Sequence, residues 1–134
     1  MIIIYCNRMT SAKLFTELPV WISARQVRKF VMQIVKQLPR SEKYKLADQI
    51  TRSARSITAN IAEGFGRFHY QENIQYCRQA RGSLSETLEH LICAYDDKYI
   101  SEAELLDGKD LIQKTWKEIN GYIKYLQSQQ NRKC

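Results

Sequence analysis

The residues that most often carry catalysis or bind metals are few in this chain. His69 and His90 are the two histidines, and Glu86 stands four residues before His90, at a helical ligand spacing. No matching pair appears on another predicted helix, so an exposed helix-face contact is a simpler interpretation than a metal site. The sequence also contains no P-loop, GxGxxG motif or nucleophile elbow. We therefore expect a protein that is not an enzyme, with no catalytic residue, no metal and no cofactor.

The cysteines are too far apart to suggest metal binding or a redox motif. Cys6, Cys77, Cys93 and Cys134 form no CxxC pair, a pattern typical of a cytoplasmic protein with reduced thiols. The apolar segment 1–6 is too short for a secretory signal, and no run approaches the roughly 20 apolar residues of a membrane span. We expect a cytoplasmic protein that does not enter a membrane.

The charge is concentrated in the first part of the chain. The formal net charge is +7, and residues 1–82 carry 14 Lys and Arg against 5 Asp and Glu, whereas residues 83–134 carry 7 against 9. A basic surface favours nucleic acid or the acidic surface of a partner protein, although a basic domain without such a partner is equally compatible with these counts. The residues expected to contact phosphates are Arg25, Arg28, Lys29, Lys36, Arg40, Lys43, Lys45, Arg52 and Arg55.

The stretch 49–67 combines an apolar helical stripe with polar residues. The stripe has spacings of four, three and four, at Ile50, Ala54, Ile57 and Ile61. Gly64 and Gly66 follow, and predict that the backbone leaves the helix there. Polar groups inside a helix bundle must be paired. We therefore favour a buried polar network that fixes helix register over a ligand site, with Arg52, Asn60, Glu63 and Arg81 as its members.

Two further groups of residues allow more than one interpretation. Aromatic residues near Arg67 could stack on nucleic-acid bases or simply pack at a helix junction: Phe65, Phe68, Tyr70 and Tyr76. A patch of small residues in the third predicted helix should let a neighbouring helix approach closely, which would offset the cost of its glycine: Ala80, Gly82, Ser83 and Ser85.

Hydrophobic periodicity predicts four helices, over about 19–37, 42–64, 71–95 and 101–127. Ser41 is a suitable N-cap for the second helix, and Ser101 with Glu104 forms a capping box before the fourth. The predicted fold is all-α: an antiparallel up-down-up-down four-helix bundle. It should occupy residues 15–128, with a flexible N-terminal extension over 1–14 and a frayed C-terminal tail over 129–134.

Three sequence blocks carry a family resemblance. The segment ITANIAEGFGR with the preceding Ser56 is similar to the pattern S-I-P-x-N-I-A-E-G-x-G-R, except that Thr58 replaces the proline. Residues 80–86, ARGSLSE, and residues 18–21, LPVW, are similar to two further blocks of the same family. The chain thus resembles the four-helix bundle proteins named after open reading frames in 23S rRNA intervening sequences. The resemblance covers roughly residues 15–127.

The resemblance implies a homo-oligomer, since relatives form pentameric rings or barrels. Nucleic-acid binding through a basic surface is then the expected function, because several copies of that surface multiply the field felt by RNA or DNA. One branch of relatives acts as the accessory protein of diversity-generating retroelements, which implies the alternative of a protein-interaction scaffold for a reverse transcriptase.

Overall fold

The computed structural model describes residues 12–67 and 69–132, and most of them are helical. The four α-helices are α1 (Pro19–Val35), α2 (Leu46–Gly66), α3 (Tyr70–Asp96) and α4 (Glu102–Asn131). Single 3₁₀ turns, Phe15–Glu17 and Arg40–Glu42, precede α1 and α2. No strand occurs in the two described ranges, and the prediction of an all-α four-helix bundle is confirmed. None of the described helices has the length and apolar character needed to cross a membrane.

Each helix packs against two others, so that the four helices enclose one core. α1 lies against α2 and α4, and α3 lies against the same two helices. The core is mostly aliphatic, and its spacing of three and four residues along each helix turns one face of that helix inward. α2 and α3 run in opposite directions, since Ser53 of α2 contacts Thr87 of α3, whereas the later Ser56 contacts the earlier Ser83. These contacts concern α2 and α3 alone, and the alternating order of all four helices stays a prediction.

The connection between α1 and α2 differs from the expectation. α1 ends at Val35, and α2 begins at Leu46 rather than directly after Ser41. Ser41 lies in a 3₁₀ turn, so its predicted role as N-cap is wrong. Lys45 is the N-cap residue but makes no side-chain capping hydrogen bond. Glu42 caps the helix from the preceding turn instead, because its Oε2 accepts a hydrogen bond from the Leu46 N–H at 3.1 Å. This carboxylate satisfies one free amide donor of the first turn and interacts favourably with the positive end of the helix dipole.

Gly64 is required by packing and not by a turn. α2 continues through Gly64 and ends at Gly66, as the two glycines predicted to within two residues, but neither glycine has a positive φ. A Cβ built on the buried Gly64 would lie 2.7 Å from Asn73 Oδ1 and 2.8 Å from Tyr76 Cβ. Because packed atoms do not approach so closely, a glycine here lets α3 lie this near the end of α2.

The small-residue patch of α3 behaves only partly as predicted. Ala80 is buried and Ser83 hydrogen-bonds to a serine of α2, so these two positions do face a neighbouring helix. Gly82 is exposed, and a Cβ built there would meet nothing within 4 Å, so close packing does not offset its cost to the helix. A close approach does occur at Gly108 in α4, where a built Cβ would lie 2.7 Å from Phe30 Cε1.

The connection between α3 and α4 is fixed by a capping motif at each end. Lys98 adopts a left-handed conformation with φ of 64°, and the N–H of Tyr99 donates to the carbonyl oxygen of Ala94 at 2.9 Å. This is a Schellman motif, in which glycine is the usual left-handed residue. The predicted capping box is confirmed: Ser101 Oγ accepts the Glu104 N–H at 3.1 Å, and Glu104 Oε1 accepts the Ser101 N–H at 2.9 Å.

The two ends of the chain are described unequally. The predicted flexible extension over 1–14 falls largely on residues 1–11, which lie outside the described residues. At the other end, α4 runs to Asn131, so residues 129–131 of the predicted frayed tail are helical. No glycine or proline follows Gln127 to interrupt the helix, and Gln129 is half-buried.

Gly64→Ala is expected to lower the free energy of unfolding by about 1–3 kcal/mol, because the new methyl group overpacks the contact between α2 and α3. Gly82→Ala is the matched control, since the same exchange there adds a methyl group in open space. It should raise the free energy of unfolding by up to about 1 kcal/mol, because alanine favours the helix. Urea denaturation measures both, and a similar change in the two variants would contradict this explanation of Gly64.

Candidate nucleic-acid interface

The outer face of α1 carries cations without a carboxylate. Val27, Val31 and the other buried apolar residues of α1 face the core, which places Arg25 and Lys29 on the opposite side with Lys36 just beyond the helix end. All three cations are exposed, and α1 contains no Asp or Glu. Because 3.6 residues make one turn, spacings of four and seven keep their side chains on one face. This face is the most clearly cationic part of the predicted interface.

Arg28 differs from the other predicted phosphate contacts because it is half-buried between α1 and α2. Its Nη1 donates to Thr58 Oγ1 at 2.8 Å, and Thr58 Oγ1 itself donates to the carbonyl oxygen of Arg55 at 3.2 Å. Thr58 is the residue that replaces the proline of the resembling pattern, and a proline could not accept this bond. Arg28 thus links the two helices in addition to contributing charge.

The cations of the connection lie before α2 and are all exposed: Arg40, Lys43 and Lys45. Lys43 Nζ lies 5.3 Å from the ring centroid of Tyr44, whose side chain is 84% exposed. This connection extends the cationic face beyond the end of α1.

The two arginines predicted on α2 also face solvent. Arg52 Nη1 lies 3.9 Å from Asp48 Oδ2 at an exposed position, where an ion pair contributes little. Arg55 is exposed one turn further along. Within residues 12–67 and 69–132, no carboxylate forms an ion pair with the other eight predicted phosphate contacts.

The structure does not join the four residues of the predicted polar network, so that prediction is wrong: Arg52, Asn60, Glu63 and Arg81. The side chain of Arg52 is 80% exposed and that of Glu63 is 54% exposed. These two are eleven residues apart, about three turns, so both lie on the outer face of α2. Asn60 lies about 80° around the axis of α2 from Arg52, on the side that faces α3. Arg81 lies on α3 and contacts α4, where its side chain hydrogen-bonds to Asn120.

Small hydroxyl and amide groups form the polar contacts between α2 and α3. Ser53 Oγ and Thr87 Oγ1 lie 2.9 Å apart, and the Oγ atoms of Ser56 and Ser83 lie 2.8 Å apart. Asn60 Nδ2 donates to both the carbonyl oxygen and the Oγ of Ser56. Every buried side-chain polar atom in the described part of the chain has a hydrogen-bond partner. The small polar residues of the segment 49–67 therefore serve the pairing of α2 with α3. This is close to the predicted purpose of a network that fixes helix register, although most of the residues involved differ from the predicted ones.

At the α2–α3 junction, Arg67 interacts with one of the aromatic residues, Tyr76. The Arg67 guanidinium lies 5.1 Å from the ring centroid of Tyr76 and donates to its hydroxyl at 2.7 Å. It also pairs with Glu63 at 3.1 Å and with Glu72 at 3.7 Å. Two carboxylates beside this arginine disfavour a phosphate there. Phe68 lies outside the described residues, so base stacking on it stays a prediction.

A second cationic surface, a groove between α3 and α4, was missed by the sequence analysis. It has a volume of about 590 Å³, and the residues that define it are Arg78, Arg81, Trp116, Lys117, Asn120 and Lys124. No carboxylate lines it within the described ranges. The net charge summed over residues 83–134 gave no indication of this surface. Lys117 and Lys124 are nevertheless seven residues apart, which places both on one face of α4.

The residues considered for chemistry form no larger constellation. His90 Nε2 lies 3.1 Å from Glu86 Oε2, as a contact along the face of α3. In the part of the chain that the structure describes, no group of three or more His, Cys, Asp or Glu is placed to hold a metal ion.

Cys77 is buried in the core and is not poised for reaction. Its Sγ donates to Asn73 Oδ1 at 3.6 Å. Burial raises the pKa of the Cys77 thiol from 9.0 to about 12, although the charge of Arg81 opposes the shift. Since the thiolate is the reactive form, Cys77 is unreactive at neutral pH.

Cys77 should make the fold less stable in alkaline solution. Below pH 9 the thiol is protonated in both states, and its contribution to stability is fully present. As pH rises from 9 towards 12 the unfolded thiol ionises first, so the free energy of unfolding falls, by about 1 kcal/mol at pH 10. Urea denaturation of Cys77→Ala should show a smaller loss between pH 8.5 and pH 10, and parallel profiles for the two proteins would contradict the assigned shift.

Comparisons with known proteins agree with the helical architecture. A sequence model of the family described as 23S rRNA-intervening sequence protein matches residues 16–121. The chain is also similar to the crystal structure of a protein with unknown function from the S23 ribosomal protein family of Bacteroides thetaiotaomicron, with a TM-score of 0.72 and 23% sequence identity. That likeness covers 78% of this chain and 98% of the other, and at this identity it shows the fold alone. No curated protein matches the chain.

Proposed function

Because the chain belongs to the 23S rRNA-intervening sequence protein family, we propose that it is a non-enzymatic bundle that binds nucleic acid through the outer face of α1. The proposal includes the neighbouring connection and the exposed arginines of α2.

One observation carries the proposal: among the described residues, the exposed cations of α1 have no carboxylate partner. Arg25, Lys29 and Lys36 lie on one face of a helix that contains no acidic residue. Cations already paired with carboxylates would have to exchange those partners for phosphates. Unpaired cations instead displace counterions from the nucleic acid, and the release of those counterions drives binding.

We also propose that the protein assembles into a homo-oligomer, a pentamer as the family resemblance implies. Exposed large apolar side chains outside α1 favour such self-association, among them Ile92 and Leu106. Repeating the α1 face in each copy would raise the avidity for a long polyanion. In the alternative function, an accessory scaffold for a reverse transcriptase, the same cations would contact an acidic surface of the partner protein.

The combined variant Arg25→Gln, Lys29→Gln and Lys36→Gln should bind nucleic acid more weakly and with a shallower salt dependence. Three lost phosphate contacts reduce the slope of log K against log salt by about 2 on a single strand and by nearly 3 on a duplex. Titrations of a short single-stranded RNA and a duplex DNA at several salt concentrations measure the slopes and show which nucleic acid binds more tightly.

Removing three exposed lysines elsewhere provides the control for this variant. Lys98→Gln, Lys109→Gln and Lys114→Gln together lower the net charge equally but lie outside α1. The proposal fails if both triple variants change the slope equally, since net charge alone would then explain binding. It also fails if neither nucleic acid binds at low salt while a single protein co-purifies, an outcome that would support the scaffold.

The mass of the protein in solution tests the proposed assembly. We expect light scattering to give about five times the chain mass of 15.8 kDa. Ile92→Ser with Leu106→Ser should lower that mass, because polar side chains weaken an apolar contact between copies. A mass of 15.8 kDa for the unmodified protein at working concentration would contradict the oligomer.

A further inference from the structure

We propose that the groove between α3 and α4 binds single-stranded nucleic acid, with one base stacked on Trp116 and phosphates held by Arg78, Lys117 and Lys124. The inference goes beyond the function proposed above, because none of these residues lies on α1 or α2. The groove supplies three features that such a strand requires, and each rests on a separate observation.

The first feature is charge without compensation. Arg78, Arg81, Lys117 and Lys124 line a groove with a volume of about 590 Å³, and no carboxylate lines it in the described part of the chain. None of the four forms an ion pair with a described carboxylate. Arg81 is oriented from within the groove, since its Nη1 donates to Asn120 Oδ1 at 2.8 Å. A phosphodiester would therefore meet cations whose charge no neighbour neutralises.

The second feature is an aromatic face with no partner. The side chain of Trp116 is 48% exposed, and within the described residues no other ring or cation packs over it. The other tryptophan differs, because Trp21 contacts the ring of Phe15 at 5.4 Å and the guanidinium of Arg25 at 5.7 Å. An exposed indole beside arginines and lysines is the pattern with which proteins stack single-stranded bases.

The third feature is an extension of the groove that is rich in amides. A neighbouring cavity of about 580 Å³ shares Arg78 and Gln127 with the groove and continues towards the start of α3. Gln71, Gln75 and Gln130 line this extension. Glu72 lines it too, and its carboxylate is paired with Arg67 at 3.7 Å. Side-chain amides can donate to and accept from the edges of unpaired bases, which a duplex hides. From Trp116 to Gln130 the path along α4 is about 21 Å, enough for a few nucleotides.

These features favour a single strand over an acidic peptide or a duplex. An acidic peptide would use the cations but has no planar base for the indole. A duplex would meet the cations but keeps its bases stacked inside. Only a strand with unpaired bases engages the cations, the indole and the amides together.

Fluorescence of Trp116 tests the stacking directly. In the Trp21→Phe variant Trp116 is the sole tryptophan, and we expect single-stranded RNA to quench its emission while duplex DNA of equal length does not. Trp116→Ala should weaken binding of the single strand about five- to a hundred-fold, and Trp116→Phe should retain part of the affinity because it keeps an aromatic face. Gln113→Ala is the control, since Gln113 is also exposed on α4 but does not line the groove, and it should leave affinity unchanged.

Three results would overturn the inference. Equal quenching by polyglutamate would assign the groove to an acidic peptide. Equal quenching by the duplex would remove the requirement for unpaired bases. A lower solution mass of Trp116→Ala with unchanged RNA affinity would assign Trp116 to a contact between copies of the chain. Each result can be told apart from failure of the α1 surface, because the α1 triple variant, made in the Trp21→Phe protein, keeps Trp116 as its sole tryptophan and should still show quenching by the single strand at low salt.

Discussion

The close approach of α2 and α3 is the constraint on which the rest of the structure depends. Gly64 permits it at one end, and the paired hydroxyl groups of Ser53 with Thr87 and Ser56 with Ser83 maintain it along the helices. Hydroxyl side chains are small enough for the backbones to come near and polar enough to need a partner when buried. The buried and half-buried serines of α2 are therefore explained by helix pairing.

The composition of the core determines where the charged residues lie. Since the core accepts only apolar residues and small paired polar groups, long cationic side chains are placed on the outer faces of the helices. α1 has no acidic residue to neutralise its outer face, and the groove between α3 and α4 has no carboxylate in its described lining. The chain thus presents two separate cationic surfaces. One is suited to contact with phosphates in general, and the other adds the indole of Trp116 and can distinguish paired from unpaired bases.

The sequence was sufficient for the fold but only partly sufficient for the candidate site. Periodic apolar spacing predicts the four helices because burial of one helical face dominates their stability, and the capping box at Ser101 follows from local chemistry. The packing role of Gly64 could not be predicted, because it depends on contacts with the next helix. The cap by Glu42 could not be predicted, because the start of α2 is set by the preceding turn. The groove was missed because it needs cations from two helices, and charge summed along a chain does not show which helix faces adjoin.

The central claim is that nucleic acid contacts the outer face of α1, and lysine footprinting tests it most directly. Acetylation followed by mass spectrometry compares the reactivity of each exposed lysine with and without a short RNA. The account predicts that RNA protects Lys29 and Lys36, whereas Lys98 and Lys109 stay equally reactive. Unchanged reactivity of Lys29 and Lys36 under conditions where the RNA is bound would contradict it.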